Sequence, residues 1–216
     1  MDSWTLHLLN ARGQFSSCAD VIRSACAEAE ERVAAITPPL ALDIVISATE
    51  GMPEALFVSG HCYEPGVIGL GIDLGQQHSG ERLRGELLKS LFHEFHHALR
   101  WEGPGYGTTL GEALLSEGLA QRFLHEMMDC PPEPFEVAVP DDVCEAWRSS
   151  ALASFDDADY DHDAWFFGTG EMPNWLGYTL GKRMVDRILA ARPQSTALGL
   201  AHADAGQFRA ALETAF

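Results

Sequence analysis

The segment SLFHEFHHALRW, residues 90–101, places His93, Glu94, His96 and His97 within five consecutive positions of a stretch otherwise rich in leucine and phenylalanine. On a helix of about 3.6 residues per turn, Leu88, Leu91, Phe92, Phe95 and Leu99 form one apolar stripe, and His93 and His97 stack one turn apart on the opposite side. Two imidazoles at i and i+4 can aim their nitrogens at one cation without distorting the backbone. Glu94, next round the helix, then reaches a water at that cation rather than the cation itself, and can accept the water's proton. The competing interpretation is that this face is simply solvated. His96 turns away from His97 and is assigned to a supporting or a surface position.

A hydrolytic zinc centre takes three protein ligands and keeps a fourth position open. In LLSEGLAQRF, Glu117 falls twenty residues after His97 on the next expected helix, on the same side as Leu110, Ala113, Ala120 and Leu124. A carboxylate on so apolar a side is costly unless a metal or an arginine compensates it. Glu112, set against Leu115 and Leu119 on a different side, competes for the same role, and spacing alone leaves that choice open. The glycine-rich EGPGYG between the helices lets the chain turn back, so that antiparallel neighbours would present His93, His97 and Glu117 to one point.

H-E-x-x-H followed on the next helix by a glutamate in the context SEGLA resembles the gluzincin group of zinc metallopeptidases. More closely, HEFHH together with EGLA and the later PNWLGYTLG resembles a bacterial family of predicted zinc-dependent proteases of unknown function, over about residues 83–191. The resemblance implies a zincin-like fold, zinc held by His93, His97 and Glu117, and Glu94 as general base in hydrolysis of a peptide or protein substrate. Tyr178 opens a glycine-flanked helix, where its phenol can donate to a developing oxyanion or pack against Trp175, and the resemblance favours the donor role. Tyr106 and His162 are next in line as that donor. Two other readings stand beside the peptidase: a metal hydrolase of small amides, and a catalytically silent zinc-binding interaction domain. An intact Glu94 argues against the silent one, because a structural site has no use for a base there.

The elements that must position these residues follow from periodicity and turn signals. A helix is expected over 16–36, with a serine as its N-cap, and strands over 40–48, 55–63 and 66–74, separated by TEGMPE and EPG as turns. Further helices are expected over 81–101, 110–128 (capped by Thr109 or Thr108), 141–153, 174–191 and 205–215. That order gives an α+β fold: a small N-terminal sheet of mixed or antiparallel pairing, an active-site helix beneath it, and a mostly helical C-terminal half. One domain is expected over 1–216, sheet-bearing to about residue 80 and helical from about 81. Asp157, Asp159, Asp161 and Asp163 alternate like a calcium loop, but His162 stands where that loop needs glycine and Gly168 where it needs a bidentate glutamate. The run is therefore expected to be a solvated acidic loop, of a kind that can cover a cleft. His7, His61, His125 and His202 are isolated and receive no role.

Composition limits the function. Among 216 residues, 32 acidic against 14 basic side chains give a formal charge of −18, which argues against nucleic acid or an anionic membrane as partner. Cys18, Cys26, Cys62, Cys130 and Cys144 are odd in number and contain no CxxC pair, so a reducing compartment is expected. The start MDSWTLHLLNARGQF lacks the basic and apolar regions of a secretory signal, and no apolar run reaches the length of a membrane span, so a cytoplasmic protein is expected.

Overall fold

Four strands and two helices build the first of the two units into which the chain divides, Met1–Trp101, and helices build the second, Glu102–Phe216. The computed structural model describes residues 3–53, 56–76 and 79–215. The architecture is α+β, with the sheet in the N-terminal part and the C-terminal half mostly helical.

In the first unit, β1 (Trp4–Leu8), α1 (Ala19–Ala34) and β2 (Leu42–Thr49) form a strand–helix–strand crossover, the connection that parallel strands require. β3 (Val58–Glu64) and β4 (Val67–Asp73) form a hairpin whose turn places Gly66 at φ 76°, a backbone region that favours glycine. The sheet order is β1-β2-β4-β3; β4 pairs with β2 in parallel and with β3 antiparallel. The sheet is thus mixed, one of the two pairings expected, while β1 was not anticipated. Glu54, the last position of the expected turn TEGMPE, and Ala55, the first of the expected strand 55–63, lie outside the described residues, as do Gln77 and His78 ahead of α2 (Gly80–Trp101).

α2 packs on α1 and on β3 and β4, burying Leu87, Leu88, Leu91, Phe92 and Phe95. Each such side chain contributes roughly 1.5–3 kcal/mol by leaving water. Trp101, at the end of α2, donates its indole N–H to the Cys62 carbonyl of β3 at 2.9 Å, which fixes the helix lengthwise against that strand. α1 starts at Ala19 behind Cys18, with no side-chain cap. The expected serine cap fails because the Ser16 hydroxyl donates to the Gly13 carbonyl at 2.7 Å, inside the preceding turn.

The second unit holds α3 (Leu110–Met127), α4 (Asp141–Ala153), α5 (His162–Phe167), α6 (Leu176–Ala191) and α7 (Arg209–Glu213). Its centre is the crossing of α3 and α6, which meet at two glycines. A β-carbon on Gly118 would lie 2.2 Å from the Gly181 carbonyl oxygen, and one on Gly181 would lie 2.3 Å from that of Leu114. α5 was not anticipated: Asp161 caps it through the Ala164 N–H at 3.0 Å, and Trp165 and Phe166 are buried. Asp157, Asp159, Asp161 and Asp163 are exposed, as the expected acidic loop requires, but the same segment also buries Ala164, Trp165 and Phe166. No helix among the described residues is long and apolar enough to cross a membrane.

Candidate metal centre

The polar side of α2 is not a solvated face. Glu94 and His97 are 6% and 4% exposed, His96 and Arg100 are fully buried, and only His93 of this group is half-buried. Of the two positions expected for His96, the surface one is thereby corrected: its side chain is fully buried. The Nε2 atoms of His93 and His97 stand 3.1 Å apart, with ring centroids 4.8 Å apart and planes at 71°. Two nitrogens each about 2.0–2.1 Å from a tetrahedral zinc are about 3.3 Å from one another, so this pair has the required spread. Glu94 is seated against β3 at Gly60, where a β-carbon would lie 2.6 Å from Oε1. Burial foremost, and the Glu94 charge, push the nearby Cys62 thiol up to about 12.

Glu117 belongs to the second unit, on the part of α3 that sequence periodicity makes apolar. It is 6% exposed, beside the fully buried Ser116. The Tyr106 hydroxyl donates to Glu117 Oε1 at 2.8 Å, and the Ser116 hydroxyl donates to the Tyr106 carbonyl at 2.9 Å. Gly105 and Gly107, at φ 77° and 103°, turn the backbone on either side of Tyr106. Burial and the Glu117 charge hold the Tyr106 phenol well above its usual value, so it stays protonated and remains a donor. Burial likewise pushes Tyr160 up to about 12, with Glu117 adding to it. His162 lies below its ordinary value because burial outweighs the opposing pull of Glu117, Asp163 and Asp161. Its Nδ1 meets the Tyr160 hydroxyl at 3.0 Å.

Glu112, the competitor of Glu117, has a different task. Its Oε2 accepts from the backbone N–H groups of Thr108 at 2.7 Å and Thr109 at 3.0 Å, while the Thr109 hydroxyl accepts from the Glu112 N–H at 3.3 Å. This is a capping box that closes the start of α3. Tyr178 lies on α6 with its ring among Phe166, Phe135 and Phe167, at centroid distances of 5.0, 5.1 and 6.5 Å. Gly177 allows this packing, since a β-carbon there would lie 2.7 Å from the Phe166 ring. Tyr106, which the sequence offered as an alternative oxyanion donor, is the hydrogen-bond partner of Glu117. The paired glycines around it were the legible signal.

Among the described residues, one group of His, Cys, Asp and Glu side chains is able to hold a metal ion: His93, His97 and Glu117, whose ligand atoms, one from each, lie within 4.8 Å of one another. Two imidazole nitrogens and one carboxylate oxygen are a donor set that zinc accepts, with a fourth position left open. Glu112 and the acidic run at 157–163 join no such group among the described residues.

No curated protein and no solved structure matches the chain. A family match does exist, and it runs over residues 19–209, from the first helix to the last and across all three candidate ligands. Because it takes in nearly the whole sequence, the chain belongs to the family described as Predicted Zn-dependent protease (DUF2268).

Proposed function

We propose that the chain is a zinc metallopeptidase of gluzincin type, with both units acting as one zincin-like domain that cleaves peptides or proteins. His93, His97 and Glu117 hold the metal in this reading, and Glu94 is the general base. The observation that carries it is the gathering of those three side chains into one donor group, with Glu94 buried one residue after the first of them. The chain's membership of a family named for zinc-dependent proteolysis supports the same chemistry.

Zinc, when bound, supplies a Lewis acid that polarises a carbonyl and lowers the pKa of water. Glu94 takes the proton of the attacking water and delivers it to the leaving amine. Gly60 leaves room for that carboxylate and fixes where it stands. Tyr106 holds the Glu117 carboxylate in one rotation through the hydrogen bond to Oε1, as partners of metal ligands commonly do. Tyr178 donates to the oxygen that becomes negative as the carbonyl is attacked. A peptide fits better than a small amide because β3 is the edge strand of the sheet and carries Gly60 against Glu94. An extended chain that adds to this edge would run past the base. The charge of −18 favours cationic sequences at low ionic strength.

Metal analysis and a cleavage profile on a peptide mixture, for wild type beside Glu94→Gln, test the reading. The wild type is expected to carry about one equivalent of zinc and to cleave; Glu94→Gln is expected to keep the zinc and lose hydrolysis by orders of magnitude. Zinc without cleavage in either protein would point to an interaction domain. Turnover confined to small amides would point to the other hydrolase class.

A further inference from the structure

Away from the metal ligands, the second unit brings together a thiol, an imidazole and a carboxylate. His125 Nε2 lies 2.9 and 2.8 Å from the two carboxylate oxygens of Glu136, and Cys130 Sγ lies 3.7 Å from His125 Nδ1. Glu136 is 1% exposed, the His125 side chain is 15% exposed, and Cys130 is half-buried, so the carboxylate is sealed in while the thiol is within reach of a small reagent. The connection between them, CPPEPFE, contains three prolines. Each fixes its own φ, which stiffens the segment that delivers Cys130 and Glu136 to opposite edges of one imidazole.

An ionised carboxylate only accepts hydrogen bonds, so His125 Nε2 must carry the proton that faces Glu136. The neutral ring then presents the lone pair of Nδ1 to the Cys130 thiol. A proton passed from sulfur to Nδ1 leaves an imidazolium between two anions, in the last turn of α3, where a helix favours positive charge. We infer that Cys130, His125 and Glu136 form a proton relay that makes Cys130 a nucleophilic thiolate and a modification site for soft electrophiles. Toward an alkyl halide, the S–C bond forms as the carbon–halogen bond breaks and halide leaves, with the thiol proton retained on His125. Toward hydrogen peroxide, the S–O bond forms as the O–O bond breaks; sulfur is oxidised to sulfenic acid, and the departing hydroxide takes a proton to become water.

The other cysteines supply internal references. None of the five is in a disulfide. Burial pushes the Cys26 and Cys62 thiols up to about 12 and that of Cys144 up to about 11, and raises that of Cys18, which is half-buried like Cys130. A thiol of ordinary pKa is only a few per cent ionised at pH 7, so a paired thiolate gains in ionised fraction more than it loses in intrinsic nucleophilicity. The test is the rate of carbamidomethylation of each cysteine in the intact native protein by iodoacetamide at pH 7, followed by peptide mass spectrometry. Cys130 is expected to react about tenfold or more faster than Cys18. His125→Gln, which can still donate to Glu136 but offers no base, is expected to slow Cys130 about tenfold and leave Cys18 unchanged. Glu136→Gln is expected to act in the same direction, because its amide can donate to Nε2 and so move the ring proton to Nδ1. A wild-type Cys130 no faster than Cys18 would overturn the inference without any variant. An unchanged Cys130 rate in a folded His125→Gln protein would reduce His125 and Glu136 to a structural pair.

Discussion

Gly60→Ala offers a perturbation whose size can be worked from the structure. The added β-carbon would lie 2.6 Å from Oε1, 2.7 Å from Cγ and 2.9 Å from Cδ of Glu94. Ordinary non-bonded contacts are about 3.3–3.6 Å for carbon to oxygen and about 3.5–4.0 Å for carbon to carbon. The Glu94 side chain must therefore retreat by roughly 1 Å. Turning the terminal carboxylate does not relieve the contact at Cγ, and a side chain only 6% exposed has little space to retreat into. Overpacking of this kind costs about 1–3 kcal/mol of stability, offset by about 0.4–1 kcal/mol from the smaller backbone freedom of alanine in the unfolded chain. The larger effect falls on the chemistry, because misplacing a reacting group by about 1 Å costs about 10²-fold in rate. Peptide hydrolysis, zinc content and thermal unfolding measured on one preparation separate these effects. The expected result is kcat lower by about 10²-fold, zinc unchanged and a modest loss of stability. A zinc-replete Gly60→Ala protein with wild-type kcat would refute the claim that Glu94, held where Gly60 allows, is the base.

Glu117→Ala should abolish or greatly weaken zinc binding by equilibrium dialysis, whereas Glu112→Ala should keep the metal and lower stability by about 1 kcal/mol through loss of the helix cap. Burial alone would raise the Glu112 carboxyl, but the hydrogen bonds from Thr109 and Thr108 outweigh it and hold the carboxyl below its usual value. Its contribution is therefore complete above the unfolded value of about 4.3 and is lost as pH falls through the folded one, so Glu112→Gln should flatten the acid side of the stability profile. Tyr178→Phe should lower kcat on the order of 10²-fold with little change in KM and unchanged zinc; full activity would make Tyr178 a packing residue among Phe135, Phe166 and Phe167.

How far the sequence speaks for itself differs from element to element. β2, β4, α2, α3 and α6 were legible because each is long enough for its apolar period to repeat. β1 was not, since WTLHL buries only Trp4 fully and is held as a strand by its pairing with β2, across the whole of α1. α5 escaped notice because its two buried aromatics, Trp165 and Phe166, stand directly behind exposed aspartates. At the candidate site, H-E-x-x-H was plain, yet one helical wheel cannot reveal that the polar side of α2 is buried, so a supporting and a surface position for His96 both stood open. The choice between Glu112 and Glu117 was open to a local argument: Thr109-Leu110-Gly111-Glu112 spells a capping box, which assigns Glu112 to the helix start. The hydrogen bond from Tyr106 to Glu117 spans a glycine-turned loop and eleven positions, beyond the reach of any periodicity. The pairing of His125 with Glu136 and Cys130 is equally a product of folding, through a proline-rich connection whose path the sequence leaves unspecified.

Anomalous scattering from crystals of the zinc-loaded protein, recorded on either side of the zinc absorption edge, tests the central claim most directly. The account predicts one strong peak, about 2.0–2.2 Å from Nε2 of His93, Nε2 of His97 and a carboxylate oxygen of Glu117, with Glu94 beside it but not bound to it. A peak ligated by Glu94, His96 or Glu112 in place of any of those three, or no peak near α2 at all, would contradict it.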